Sequence, residues 1–215
     1  MKRTSKQALI ATLIITLILA ADQILKIWVK THMQLGDEIP LIGNWCILHF
    51  TENVGMAFGM AFFGNIGKFL LTLFRIIASA GVMWALVHYI RKGATMLFVV
   101  SVSLIFVGAI GNLVDSCFYG LIFNESYYNV AQLFPPEGGY APFFFGRVVD
   151  MFYFPLFEFD LPWGGHFLFF NAIFNIADAA ICVGVALFAI YLLINSRSFR
   201  VWDLSNRGAS SSHGA

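Results

Sequence analysis

The sequence predicts a mainly α-helical, polytopic membrane protein, and three observations predict it. Of its 215 residues 59% are hydrophobic, only 12% are charged and 24 are Phe, whereas a soluble domain is about 45 to 50% apolar and about 25% charged. Four stretches, about 8–30, 66–90, 95–118 and 171–194, reach the ~20 residues that a bilayer-crossing helix needs. The basic residues also sort to one side. With a cytoplasmic N-terminus, Lys2, Arg3, Lys6, Arg91, Lys92, Arg197, Arg200 and Arg207 all fall inside, which sets the orientation with both termini cytoplasmic.

The first helix follows a basic start and an apolar run from Ala8 that resembles a signal peptide, but the run resumes at Ile24, Leu25, Ile27 and Trp28. It is therefore read as an uncleaved span. The outer segment 31–65 holds Ile39, Leu41, Ile42, Trp45, Ile47, Leu48 and Phe50 between Pro40 and Gly43-Asn44 turn signals, a pattern that predicts a small sheet-like patch. Helices two and three are separated by the tight break Arg91-Lys92-Gly93. The segment 119–147 carries Pro135-Pro136, Gly138-Gly139 and Pro142, which predict a long irregular loop. Its aromatic residues suit the headgroup level of a bilayer. Residues 1–194 form one integral membrane domain, and the polar tail 195–215 is expected to lack regular structure.

Composition also excludes partners. A net charge of +1 with scattered Lys and Arg offers no basic surface for nucleic acid. Cys46, Cys117 and Cys182 match no paired spacing and are read as buried, unpaired packing residues. There is no His-Glu-x-x-His and no Gly-x-Ser-x-Gly, and His32, His49, His88, His166 and His213 are dispersed. No metal or cofactor is expected.

The chemistry is concentrated in carboxylates. Asp150 in Val148-Val149-Asp150-Met151 and Asp178 in Asn175-Ile176-Ala177-Asp178 lie in apolar surroundings, where a charge costs at least ~2.5 kcal/mol at mid-bilayer and marks a functional site by default. Two neighbouring carboxylates share a proton, so that one can act as general base on a water while the other protonates the scissile carbonyl or leaving amine. Asn112 with Asp115, and Asn175 with Asp178, stand three apart and place an amide beside a carboxylate. Each pair either orients the site or serves as interhelical polar glue. Asp22 and Lys26 share a face four apart, as a structural ion pair or as groups that handle substrate; Lys30 is expected to snorkel to the outer headgroups.

The succession Asp22-Gln23-x-x-Lys26, Glu52-Asn53-Val54-Gly55-Met56-Ala57-Phe58, Gly108-x-x-Gly111-Asn112-x-x-Asp115, Val148-Val149-Asp150 and Phe174-Asn175-x-Ala177-Asp178 resembles lipoprotein signal peptidase, or signal peptidase II, over residues 8 to 194. The resemblance implies a four-helix membrane aspartyl peptidase that removes the signal peptide of bacterial prolipoproteins, cutting just before a diacylglyceryl-modified cysteine. By it, Asp150 and Asp178 are the catalytic dyad, Asn53, Gly55, Asn112 and Asn175 shape the site, Asp22, Lys26 and Asp115 support it, and segment 31–65 is an extracytoplasmic β-cradle. It further implies a monomer in contact with membrane lipids, sensitive to globomycin-type inhibitors, with the site at the extracytoplasmic interface. Two departures stand out. The family usually has Arg directly after the third-helix aspartate, where this chain has Ser116, and the stretch before Val148 is longer than is typical. Arg147 is expected to supply the missing cation to substrate backbone or lipid phosphate.

Two readings compete on the residues alone. Buried acids also build proton relays, so a small proton-coupled transporter is the alternative, although no inverted repeat is visible. In a scaffold whose polar residues only pack helices, Asp150→Asn would be silent.

Overall fold

The structure, a computed structural model, describes residues 3–54, 64–160, 166–169 and 172–211. Helix α1 (Arg3–His32) is uninterrupted by Gly or Pro, and its exposed Leu17 and Ile24 have no protein partner layer over them. The hairpin β1 (Glu38–Ile42) and β2 (Cys46–Asn53) follows. Along β2 Cys46, Leu48 and Phe50 are buried while Ile47 and His49 are half-buried, the period-two signature of a strand with one inner face.

Helix α2 (Gly64–Arg91) ends in a turn where Gly93, at φ +75°, adopts the left-handed backbone that a side chain resists. Thr95 then caps α3 (Met96–Val114) by accepting the Phe98 N–H at 3.3 Å. A π-helical turn (Asp115–Tyr119) and the one-turn α4 (Gly120–Ile122) carry that helix outward. The chain returns through β3 (Val148–Tyr153), β4 (Phe157–Asp160), β5 (His166–Phe169) and β6 (Ile173–Phe174) into α5 (Ile176–Ser211).

Among the described residues four helices are long and apolar enough to cross a membrane: Arg3–His32, Gly64–Arg91, Met96–Ile122 and Ile176–Asn195. The third is the central one, with 56% of its span buried against 11 to 17% in the others, and it packs on α5, α1 and α2. Small residues let it do so. A Cβ on Gly108 would meet the Ala177 carbonyl oxygen at 2.2 Å, so the backbones of α3 and α5 touch where a larger residue would hold them apart. Large exposed residues such as Phe74, Ile77 and Trp84 face outward, as lipid-facing positions require.

The expected sheet-like patch is larger than the sequence indicated. Strands run β1-β2-β3-β6, all antiparallel, with β4 and β5 as a separate hairpin. Asp150 therefore sits on a strand, not at a helix end: Thr51 faces Asp150 and Glu52 faces Val149 across the β2–β3 ladder. The fourth span starts at Ile176 and not near 171, because Ile173 and Phe174 pair with Tyr153 and Phe152 as β6 before Asn175 opens the helix. The tail expected to lack regular structure continues α5 to Ser211, since extending an existing helix costs far less than starting one. Cys46 and Cys117 are buried and unpaired, whereas Cys182 is exposed on α5.

Two apolar clusters hold this frame. One, under the sheet, joins Val29, Met33, Leu48, Phe50, Tyr119, Phe123, Val149 and Met151; the other joins α1, α2 and α3 through Ala11, Leu86, Ile90, Phe98, Val99 and Val102. The loop 119–147, largely irregular as its Pro and Gly content predicts, is fastened back on the end of α3. Ala141 N–H donates to Gly120 O at 2.9 Å, Tyr140 N–H to Phe123 O at 2.9 Å and Gly146 N–H to Ser116 O at 2.9 Å.

Candidate active site

The β3–β6 pairing brings Asp150 beside the start of α5, where Asp178 occupies the first turn. Asn175 and Asp178 cap that helix reciprocally: the Asp178 N–H donates to Asn175 Oδ1 at 2.9 Å, and the Asn175 N–H to Asp178 Oδ2 at 3.4 Å. The cap leaves the Asn175 amide group free to point inward. Its Nδ2 donates to Asp150 Oδ1 at 2.7 Å, to Asn112 Oδ1 at 3.0 Å and to Val149 O at 3.2 Å.

From α3, Asn112 Nδ2 donates to Asp178 Oδ1 at 2.7 Å. Asn53 on β2 hydrogen-bonds to Asp150. Thus three asparagines orient two carboxylates, one from a strand and one from a helix N-terminus. Asp150 is buried and Asp178 half-buried. Burial, and after it the charge of Asp178, pushes the Asp150 carboxyl up to about 7. Such a group holds a proton near neutral pH, as a shared-proton carboxylate pair requires.

A buried ionic cluster lies behind these groups. Lys26 Nζ stands 3.0 Å from Asp22 and 2.7 Å from Asp115, and donates to Asn112 Oδ1 at 3.1 Å. Asp22 accepts the Ala177 N–H of α5 at 2.9 Å, and Asp115 accepts the Val149 N–H of β3 at 3.3 Å. Gln23 bridges the two acids, donating to Asp115 Oδ1 at 3.0 Å and Asp22 Oδ2 at 3.1 Å, and receives the Tyr119 hydroxyl at 3.1 Å. Asp22, Lys26 and Asp115 thereby fix the backbone on which both candidate carboxylates ride.

Arg147 is held by partners within the chain. Its guanidinium donates to Glu52 at 2.9 Å and to Glu125, and lies over the rings of Tyr140 and Tyr127 at 4.7 and 5.0 Å. Lys30 does not snorkel: fully buried, it pairs with Glu52 and donates to Ser126 at 2.7 Å, because segment 119–147 folds over it and supplies those partners. Burial opposes the charge on Glu52, yet Lys30 and Arg147 hold its carboxyl below the usual glutamate range. His49 pairs with Glu38 at 2.7 Å.

Gly55 lies outside the described residues. Sequence reasoning gave Arg75, Gln23, Tyr119 and Ser126 no role in the site. Arg75 carried the plainest signal, a lone charge inside the apolar run of α2, and its Nη1 donates to Ser116 Oγ at 2.8 Å. Among the described residues no group of three or more His, Cys, Asp or Glu could hold a metal ion.

With this geometry in hand, comparison with known proteins is decisive for the family. Residues 14–194 match the family described as Signal peptidase (SPase) II. The chain is similar to the lipoprotein signal peptidase of Porphyromonas gingivalis, at 46% identity over 191 residues covering 86% of this chain and 83% of that one. It resembles that of Amoebophilus asiaticus at 38% identity, covering 79% and 71%, and that of Halalkalibacterium halodurans at 30%, covering 84% and 89%. Two solved structures of a bacterial membrane enzyme, obtained by the in meso method at 2.3 and 1.9 Å, share 25% identity, with TM-scores of 0.53 and 0.52. They cover 86% and 85% of this chain, which spans 88% and 92% of theirs. The chain belongs to the signal peptidase II family, and it is a multi-pass bacterial membrane peptidase of the aspartic type.

Proposed function

We propose that Asp150 and Asp178 are the catalytic pair with which this peptidase removes signal peptides from lipoproteins, cutting just before a diacylglyceryl-modified cysteine. The observation that carries the reading is the pair itself: two carboxylates on different elements, both gripped by Asn175 and Asn112 or Asn53, with Asp150 protonated near neutral pH. The ionised member takes a proton from water as the water oxygen adds to the scissile carbonyl carbon, while the protonated member gives its proton to the carbonyl oxygen. Collapse of the tetrahedral intermediate breaks the C–N bond as one hydroxyl proton returns to the second carboxylate, and the proton held by the first carboxylate passes to the leaving amine. The pair titrates as a unit, so acid and base are roles of the dyad.

Asn53, Asn112 and Asn175 shape the site, and Asp22, Lys26 and Asp115 hold it in place. Membership of the family sets aside the proton-coupled transporter. The basic termini and the Arg91-Lys92 turn support a cytoplasmic N- and C-terminus. The sheet then lies on the extracytoplasmic side, where a signal helix can unwind and water can enter. The protein acts as a monomer, with membrane lipid around its spans and with the cyclic-peptide site of globomycin-type inhibitors at the dyad.

The test is mass spectrometry of the products from a purified prolipoprotein with and without the diacylglyceryl group. A new N-terminus at the lipidated cysteine, formed only from the modified substrate, is the expected result. Cleavage elsewhere, or equal cleavage of unmodified substrate, would refute the assignment.

A further inference from the structure

The candidate pair has carboxylates from two elements and, among the described residues, no cation within ion-pair distance of either; Lys26 is paired with Asp22 and Asp115. Beside the C-terminal end of α3, one turn past Asn112, stands Arg75 of α2. Its guanidinium offers five N–H donors, and the one hydrogen bond it makes among the described residues is to Ser116 Oγ at 2.8 Å. Ser116 is buried and donates its own proton to Asn112 O at 2.8 Å, so a lone pair is turned toward the arginine. That link holds a half-buried guanidinium in place without neutralising it.

Ser116 lies one turn past Asn112, whose Nδ2 donates to Asp178 Oδ1 at 2.7 Å, so the guanidinium is joined to the pair through Ser116 and Asn112; Asp115, next to Ser116 in sequence, is the other acid at this turn. Asp115 is already matched by Lys26. We propose that Arg75, anchored by Ser116, is the positioning cation of this active site: its charge favours ionisation of one member of the Asp150–Asp178 pair without contacting either directly. Ser116, the residue after Asp115, carries no charge itself, so the cation at this turn comes from α2. Arg147 cannot do so, because Glu52 and Glu125 already engage its guanidinium. The inference rests on the reading of Asp150 and Asp178 as the catalytic pair.

The other charges around the pair are accounted for. Lys26 and Asp22 of α1 and Asp115 at the end of α3 pair with one another behind it, and Lys68 of α2 donates to Phe145 O at 2.6 Å. Loss of Arg75 therefore removes a cation that has no ion pair of its own among the described residues. With the cation gone, both protons of the pair leave at higher pH, so both limbs of the cleavage pH profile move upward.

The experiment is the pH dependence of kcat/KM for the full-length protein in detergent micelles with a diacylglyceryl-modified prolipoprotein. The variants are Arg75→Gln, Arg75→Lys, Ser116→Ala and the relocation Arg75→Gln/Ser116→Arg. Arg75→Gln is expected to shift the profile up by about one pH unit and to lower kcat/KM about tenfold below the acid limb. Arg75→Lys should stay near the parent, and the relocation should return the profile toward it. An Arg75→Gln profile that superposes on the parent, or a loss equal at all pH values, overturns the proposal, as does a relocation that leaves the shift in place. If Arg75→Gln does not fold, Ser116→Ala, which keeps the arginine and frees it, should show a smaller upward shift, and superposition there overturns it equally. The parent's activity and its loss in Asp150→Asn are measured alongside. If these hold while the shifts do not, only the role of Arg75 fails.

Discussion

At the scale of single residues, an acid was easier to find in the sequence than its partners. Asp150 and Asp178 were legible because a carboxylate among Val, Phe and Ile needs a reason. The same argument applies to a cation, and Arg75, among Leu, Phe and Ile in α2, meets it. The partners of Arg147 were not legible, since Glu52 lies 95 positions away and Glu125 in an irregular loop. The raised pKa of Asp150 has a stability consequence. Between its unfolded value near 3.8 and its folded value of about 7 the native state holds the extra proton, so this group costs stability as pH rises through that window. Asp150→Asn, neutral at every pH, should melt several degrees above the parent at pH 8 and with it at pH 4 in the same detergent. Equal melting of the two proteins at pH 8 would argue against a strained carboxylate.

At the scale of elements, the motif Asn175-x-x-Asp178 is a helix start as well as half of a site. The capping box sets where α5 begins, and the same residues turn an amide and a carboxylate inward. The sequence placed both residues, but it put the helix start near 171 because Phe169, Phe170, Ile173 and Phe174 read as part of one apolar run. Apolar composition alone does not distinguish a short buried strand from a helical turn. Asn175→Ser separates the two roles. A serine can still cap the helix, worth about 1 kcal/mol, but its shorter side chain does not reach Asp150. Its melting temperature should stay within a few degrees of the parent while cleavage falls about 100-fold, and retained cleavage would count against an orienting amide. For the loop 119–147, Arg147→Ala should release the Glu125 side of the fastening. Limited proteolysis between residues 124 and 140 should become faster, with a stability loss of about 1 kcal/mol. An unchanged digestion pattern would show that the backbone bonds to Phe123 and Gly120 suffice.

At the scale of the molecule, the spans were legible from length and apolarity alone, whereas the sheet that joins them was not. Ladder pairing between β2 and β3 links positions about a hundred residues apart, and no local pattern records such a pairing. That sheet brings Asp150 to the end of α5, while the close approach of α3 and α5 at Gly108 brings Asn112 to Asp178. Gly108→Val should push those helices apart, lowering stability by about 3 kcal/mol or more and abolishing cleavage. A parent-like melting curve would show that the contact is dispensable.

The central claim is that one bond is cut by two carboxylates working as a unit. The most direct measurement is a gel-shift assay with purified parent, Asp150→Asn and Asp178→Asn on a diacylglyceryl-modified prolipoprotein, each protein shown to be folded by its melting transition. The account predicts release of the signal peptide by the parent and by neither variant. Substantial turnover by either folded variant would contradict it.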